Sequence, residues 1–549
     1  MDAGDGDVKS SGLATSLQRS YGGIHLGIML FPTLSFFLFF LAIFPIVIVA
    51  KPFVKCYQVV LLAINIIFYS FWHINFTYLL LSSVVINYGI NCLILAPKLP
   101  NLNLADNALF YHIYHKSDDQ LTTPPDKKVK SVELINQELP EQQRKKLKQF
   151  YLGLGVILNI LFLAVCKYYT FFVDSSLALL ANFDITLDIV ADRIAVPIGI
   201  SFYTFRCIAH LVDVYQGKVK EVSLLGFANY ITFFPQIASG PIARPEKFYC
   251  DLYSPLKYDY SISEVGLTIL SGFAKKYVIA SYLFTVIDRS FAVPNNYNSL
   301  ELLVAMLGYA CLIFVDFSGY SDMANGISML LGFRPIANFN QPYSAVSLSE
   351  FWNRWHISLS HWLRDYLYIP LGGSRVVWYR KYFNLFITMF LGGIWHGAGL
   401  NFMIWGALHG VGLWFSHYFR WLWSDIQGLP SLLLRMTGTV CTFFFVCITW
   451  VFFNCPDYET AVKYLAQMFS FSAMNDLGEW GGGNVISNTS LAVIGLVLAG
   501  QFVDPKIILQ FKQILDKHIA IATVFIAVSM YICIRLGPKT VPPFIYFNF

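Results

Sequence analysis

The sequence predicts an all-α polytopic membrane protein, with about eleven transmembrane helices and additional re-entrant or amphipathic helices. Three observations carry that expectation. Of 549 residues, 56% are apolar and only 13% are charged, too few charges to coat a soluble globule. Apolar runs near 20 residues recur from residue 25 onward, and each can cross a bilayer core as helix. Charges, prolines and glycines interrupt several of these runs, which membranes tolerate only where protein or a cavity satisfies them.

Taken in order, hydrophobic segments come first near 25–50, 58–72 and 77–96. No cleavable signal peptide is evident, because the first apolar run is too long and lacks a small-residue cleavage site. A polar insertion follows, from Pro97 to Gln149, with Lys127, Lys128, Lys130, Arg144, Lys145, Lys146 and Lys148. Positive loops stay in the cytoplasm. The insertion is therefore expected inside, as is the Lys51/Lys55 loop, and the N-terminus outside. The ten cysteines are scattered without a C-x-x-C pair, so neither a zinc site nor a disulfide framework is indicated.

A span near 150–173 comes next, then one near 194–215 broken by Pro197, Gly199 and Ser201. Arg206 lies toward its end. Arginine at membrane depth costs about 2.5–3.5 kcal/mol, so Arg206 calls for a partner, a water-filled cavity or an escape to the interface. The stretch from Phe233 to Pro245 has three prolines in a short apolar length and reads as a re-entrant segment lining a cavity. A helical region near 262–292 contains the awkward pair Lys275 and Lys276. The span near 300–332 holds Asp316 and Asp322. Asp316, Tyr320 and Met323 share one helix side and Asp322 lies on another. Further spans are expected near 400–422, 431–453, 488–503 and 518–536.

The stretch Ser347–Gly410 is where the chemistry concentrates. Ser347 and Glu350 form a capping-box pattern, so a helix should start there and stop by Pro370 or Gly372-Gly373. On one continuous helix, Trp352, Trp355, Leu359, Trp362, Leu363 and Tyr366 make an apolar stripe. His356 lies at its edge with Asn353 and Ser360 beside it, while Arg354, His361 and Asp365 fall opposite. His396 stands among Gly392, Gly393, Gly397 and Gly399, which implies a broken helix or close approach of another backbone. Desolvation disfavours a charged imidazole, and a neutral one can accept a proton from an attacking hydroxyl. An oxyanion stabiliser would also be needed; backbone N–H groups freed by the glycines, or Asn401, are candidates. His356, His396 and His409 could in principle bind a metal, but no closely spaced ligand pair supports it. No Gly-rich phosphate loop, nucleophile elbow or H-E-x-x-H helix occurs.

Four motifs together resemble the membrane-bound O-acyltransferases, in particular the bacterial branch that acetylates alginate and transfers D-alanine to teichoic acid. They are Val196-Pro-Ile-Gly-Ile-Ser-Phe-Tyr-Thr-Phe205; Phe234-Pro-Gln-Ile-Ala-Ser-Gly-Pro-Ile-Ala-Arg244; Asp316-Phe-Ser-Gly-Tyr-Ser-Asp-Met323 with Asn338-Phe-Asn-Gln-Pro-Tyr343; and Phe351-Trp-Asn-Arg-Trp-His-Ile-Ser-Leu-Ser360 with Leu363-Arg-Asp-Tyr-Leu-Tyr-Ile-Pro-Leu-Gly-Gly373 and Trp395-His-Gly397. The resemblance implies helices around a central funnel and tunnel, with catalytic His396 and His356. Arg206, Asp316, Tyr320, Asn353, Ser360 and Asn401 are tunnel or donor-binding candidates. It implies no bound cofactor or metal, and acetyl-CoA or an acyl-phosphopantetheine carrier as donor substrate. It also implies an extracytoplasmic hydrolase-like partner that completes transfer to a polysaccharide, with no nucleic acid involved. Tyr546, in an aromatic stretch, is a possible acyl relay; a simple interface anchor is the alternative. The expected organisation is N-terminal helices at 1–96, the polar insertion at 97–149, the catalytic core at 150–430, and C-terminal helices with the aromatic tail at 431–549. The location implied is a bacterial inner membrane. Two rival readings remain at this point: D-alanyl transfer from a carrier protein, and a transporter using Arg206, Asp316 and Asp322 as a midplane ion site.

Overall fold

A computed structural model describes residues 31–96, 140–183, 196–221, 223–257, 260–424, 431–470, 484–538, 542 and 544–545, without the side chains of 178, 420–424 and 431. Among these residues every regular element is helical. The first helices, α1 (Leu34–Ala50), α2 (Val54–Ser70) and α3 (Ile74–Leu95), fall where the apolar runs predict them. α4 (Glu141–Ala181) is 41 residues long. At 1.5 Å per residue it measures about 60 Å, twice the hydrocarbon thickness of about 30 Å. Its surplus length carries the basic cluster Arg144–Lys148, so the boundary drawn at 149/150 falls inside a continuous helix. The insertion before residue 140 lies outside the described residues, as does the N-terminal segment.

The broken motifs follow. α5 (Ile200–Tyr215) starts only after Gly199, whose φ of 73° leaves the Ile237 carbonyl oxygen 2.2 Å from where a Cβ would stand. α6 (Leu224–Thr232) leads into the short α7 (Phe234–Ile237), a turn at 238–239 and an irregular, wholly buried run to Ala243. The prolines do break this segment, and its loose backbone groups find protein partners. Phe234 N–H donates to Asn65 Oδ1 at 2.9 Å and Ile242 N–H to Ser358 Oγ at 3.1 Å. α8 (Pro245–Leu252) then turns back.

α9 (Ile262–Phe273), a π-helical stretch (Ala274–Ala280) and α10 (Ser281–Ala292) pack along α11 (Ser299–Leu330), the most buried of the long helices. The crossing is close because glycine meets glycine. A Cβ on Gly272 would stand 2.6 Å from the Gly319 oxygen, and one on Gly319 2.9 Å from the Gly272 oxygen. The awkward charges resolve here in pairs. Lys275 binds Asp322 at 2.7 Å, and the fully buried Lys276 binds Asp316. A midplane cation site built on these aspartates would have to displace both lysines.

The remaining helices are α12 (Leu348–Arg354), α13 (Ile357–Leu363), α14 (Trp378–His396), α15 (Leu400–Ser424), α16 (Ser431–Asn454), α17 (Tyr458–Phe469), α18 (Asn488–Ala499), α19 (Pro505–Lys517) and α20 (Ile519–Leu536). Among the described residues, five helices are long and apolar enough to cross a bilayer: α3, α4, α11, most of α16, and α20. The pair Asn488–Phe502 and Pro505–Lys517, bent by 92°, would make a sixth. The apolar runs led to an expected count of about eleven. Of the other expected spans, α1, α2 and α5 are shorter helices, the 262–292 run carries Lys275, Lys276, Asp288 and Arg289, and α15 is not among the helices that meet both criteria.

Candidate functional site

The continuous helix expected from Ser347 to Pro370 does not form. α12 ends at Arg354, Trp355 is extended, and His356 adopts φ 42°, ψ 53°, in the left-handed region, before α13 begins. A non-glycine residue there stores about 1–3 kcal/mol of strain, so something must hold it. Asn338 does. Its carbonyl accepts Ile357 N–H at 3.0 Å, and its Oδ1 accepts Ser358 N–H at 3.2 Å and Ser358 Oγ–H at 2.8 Å. The same Oδ1 lies 3.2 Å from His356 Nδ1. An acceptor at that distance assigns the proton to Nδ1 and the lone pair to Nε2. Asn338 is itself oriented by donating to Ser321 Oγ at 3.1 Å.

This break changes the neighbours of His356. Asn353, expected beside it, is exposed, because the left-handed residue between α12 and α13 resets the helical phase. Ser360 is half-buried and its hydroxyl donates to the Trp355 carbonyl at 3.3 Å. The apolar stripe still packs inward, with Trp352, Trp355, Leu359, Trp362 and Leu363 buried and His361 exposed as expected.

His396 is the last residue of α14, and Gly397 is extended, so the helix stops at the imidazole. Gly393 lets α15 approach: a Cβ there would stand 2.3 Å from the Phe402 oxygen and 2.9 Å from Gly406 Cα. The glycines thus provide both features anticipated for them, a helix end and a close backbone contact. The final carbonyls of α14 are capped from α4. Lys167 Nζ donates to the Trp395 and His396 carbonyls, each at 2.7 Å, and the Tyr168 hydroxyl donates to that of Ile394. A cation at a helix C-terminus is favourable for the helix dipole as well. The imidazole is packed edge-on to Trp405 and Phe453, with centroids 5.1 and 5.2 Å away.

An aromatic ladder joins the two histidine-bearing units. Trp362 of α13 stacks on Phe205 at 3.8 Å, and Phe205 stacks on Trp395 at 4.9 Å. Trp362 Nε1 also donates to the Phe205 carbonyl at 3.0 Å. His356, Lys167 and His409 all lie within electrostatic reach of His396. His409 is occupied on both sides, by Trp352 Nε1 at 3.3 Å and Thr449 Oγ1 at 3.0 Å, and serves packing. Among the described residues, no three His, Cys, Asp or Glu side chains gather to hold a metal.

The other candidates lie in three places. Asn401 lies at the start of α15, where its amide donates to the Cys455 carbonyl at 3.0 Å. Arg206 is buried within the protein; its guanidinium lies 4.6 Å from the Tyr230 ring centre and 3.4 Å from Gln236 Oε1. Asp316 and Tyr320, on α11, meet the C-terminal segment. Ile545 N–H donates to Asp316 Oδ2 at 3.0 Å, and Phe544 stacks on Tyr320 at 4.8 Å. Phe544 also lies 5.6 Å from Phe317, whose ring is 4.6 Å from that of His356. Tyr546 lies outside the described residues.

Sequence reasoning passed over Asn338 as a turn residue and did not single out Lys167 or Tyr168. A lysine inside the apolar run 150–173 was the available signal, since such a charge needs a partner.

Residues 142–456 match the model of the membrane-bound O-acyltransferase family, MBOAT. A probable alginate O-acetylase, AlgI, of Azotobacter vinelandii is 39% identical over 360 residues, covering 65% of this chain and 69% of the relative. A peptidoglycan O-acetyltransferase of Helicobacter pylori is 31% identical, covering 75% of this chain and 73% of its own. A teichoic acid D-alanyltransferase of Bacillus subtilis is 32% identical, covering 47% and 68%. The family match contains His356, His396, Asn338 and Lys167.

Proposed function

Because the chain belongs to the membrane-bound O-acyltransferase family, we propose that this acyltransferase moves acetyl groups from a cytosolic thioester, acetyl-CoA, to an extracytoplasmic polysaccharide. The acceptor class is alginate-like, cellulose-like or peptidoglycan. The reading places the protein in a bacterial inner membrane, N-terminus outward, with its helices around a funnel and tunnel. The observation that carries it is that two buried histidines, His356 and His396, each stand at a helix break, in units joined by the Trp362–Phe205–Trp395 stack.

In the chemistry we assign, a hydroxyl oxygen attacks the thioester carbonyl while His396 takes its proton. The carbon–oxygen bond forms, the carbon–sulfur bond breaks, and the thiolate recovers the proton, leaving an ester and a thiol. His356, with its Nδ1 proton directed to Asn338, orients the donor or acceptor through Nε2. Backbone N–H groups beyond the end of α14 and the second N–H of the Asn401 amide are the oxyanion donors in this reading. Arg206 and Tyr320 contribute to the tunnel wall. Tyr546 is the first acceptor, and an extracytoplasmic hydrolase-like partner carries the acetyl group on to the polymer.

D-alanyl transfer from a carrier-protein thioester uses the same steps, and the Bacillus subtilis relative keeps it open. The higher identity to alginate O-acetylases and the aromatic tail on the same chain favour acetyl. Mass spectrometry of envelope polysaccharides from cells with and without the protein tests the reading. Loss of O-acetyl esters is expected. An unchanged acetyl content together with lost D-alanyl esters would transfer the assignment to the second reading.

A further inference from the structure

The most unusual charge in the molecule is the pair Lys276–Asp316, with both side chains under 5% exposed. Buried ion pairs are seldom retained for stability, because desolvation offsets most of their attraction and apolar replacements often do as well. This pair has a second occupation. One oxygen of Asp316 takes the lysine, and the other takes the backbone N–H of Ile545, 229 residues away. Lys276 Nζ also lies 5.6 Å from the centre of the Phe544 ring, within the range of a cation–π contact. The Phe544 ring is held between Lys276, Tyr320 and Phe317 and is fully buried. Upstream, the hydroxyl of Tyr277, the next residue of the π-helical stretch, donates to the Pro538 carbonyl at 3.0 Å.

We infer that Lys276 and Asp316 are a docking post for the C-terminal segment, and that the post fixes the register in which Phe544 and Ile545 meet the core beside Phe317, the ring neighbour of His356. Asp316 reads the main chain, which is independent of side-chain identity. The cation and the two rings read Phe544. A docked backbone N–H fixes register at Ile545. The inference rests on the reading of Tyr546 as acyl relay for its purpose, although the docking itself is a separate observation. Lys276 and Asp316 are positioning residues in this scheme, since neither meets the reacting atoms.

Hydrogen exchange on the full-length protein in lipid nanodiscs tests the docking without reference to chemistry. In Asp316→Ala, loss of a charge-assisted hydrogen bond should speed exchange of the 544–545 amides about tenfold to a hundredfold. The double variant Lys276→Met/Asp316→Leu keeps an apolar fit and should show the same release, with α11 exchange unchanged. Retained protection of 544–545 in the double variant would overturn the proposal. Register is tested by inserting one alanine, with acetyl-CoA as donor and peptide mass spectrometry as readout. Insertion between Ile545 and Tyr546 should abolish acetyl-Tyr546, while insertion within 539–541, upstream of the post, should leave most of it. Equal loss from both insertions would also overturn it. If Tyr546→Phe transfers acetyl at full rate while docking persists, the relay reading fails and the post remains.

Discussion

His356 and His396 are both buried, yet the fold places them by opposite means. His356 is held through its side chain: Asn338 fixes its Nδ1, and the backbone beneath it is strained at φ 42°. His396 is held through its backbone, with Lys167 and Tyr168 capping the helix end and aromatic rings confining the imidazole. A ring fixed by a hydrogen bond has a defined tautomer and direction, which suits orienting a substrate. His396, at the end of α14, stands instead between rings and a helix terminus fixed by Lys167 and Tyr168. The difference therefore argues for His396 as base and His356 as assistant, a division that composition alone could not make.

The largest test of that division is His396→Ala. Loss of a general base should lower acetyl transfer by about 10² to 10⁴-fold, with donor binding retained by equilibrium dialysis against acetyl-CoA. An equal collapse of donor binding would assign His396 to binding instead. Asn338→Ala should cost about 10-fold to 100-fold in transfer, because it frees both the tautomer and the joint between α12 and α13. If Ser358→Ala, which removes only one hydroxyl from the Asn338 Oδ1 cluster, matched that loss, the cause would be local packing rather than the imidazole. His356→Gly and His356→Ala then separate strain from chemistry. Both remove the ring and should be equally inactive. Glycine accepts φ > 0 and alanine does not, so the glycine variant should be more stable by about 1–2 kcal/mol in thermal unfolding. Equal stabilities would mean that the left-handed joint relaxes when the ring is gone.

How legible this was in the sequence depended on range. The all-helical membrane fold follows from composition and run length, and α1 to α3 lie where the runs put them. The proline-dense segment 233–245 was readable as broken because prolines act locally. The glycines at 393 and 397 announced a close approach and a helix end without naming Phe402 or Gly406 as neighbours. The phase of the Ser347–Pro370 helix failed for a physical reason. Nothing local in Asn353-Arg-Trp-His-Ile357 forbids a helix; Asn338, 18 residues upstream, imposes the left-handed turn through tertiary hydrogen bonds. That one residue turns Asn353 to an exposed position instead of the expected place beside His356. Likewise, Lys275, Lys276, Asp316 and Asp322 each looked costly alone, and only the glycine crossing of α9 and α11 shows that they neutralise one another.

The smallest expected effect probes the other side of the comparison. Lys167→Met keeps the length of the side chain but removes the two hydrogen bonds to the Trp395 and His396 carbonyls. The Ile394 carbonyl keeps Tyr168, and the Gly393–Gly406 contact still anchors α14 to α15. The helix should therefore persist while its last turn loosens. A helix-end cation contributes about 0.3–1 kcal/mol at exposed sites and up to about 2 kcal/mol when partly buried. Transfer should fall about threefold to thirtyfold in kcat, with KM for acetyl-CoA unchanged, because the base moves while the donor site does not. Lys167→Arg retains donors for both carbonyls and should recover most of the rate. A merely structural lysine predicts something else: lower thermal stability with kcat per folded molecule intact. If that is what Lys167→Met shows, His396 is held by its aromatic packing alone, and the contrast with His356 becomes one of ring against ring rather than backbone against side chain.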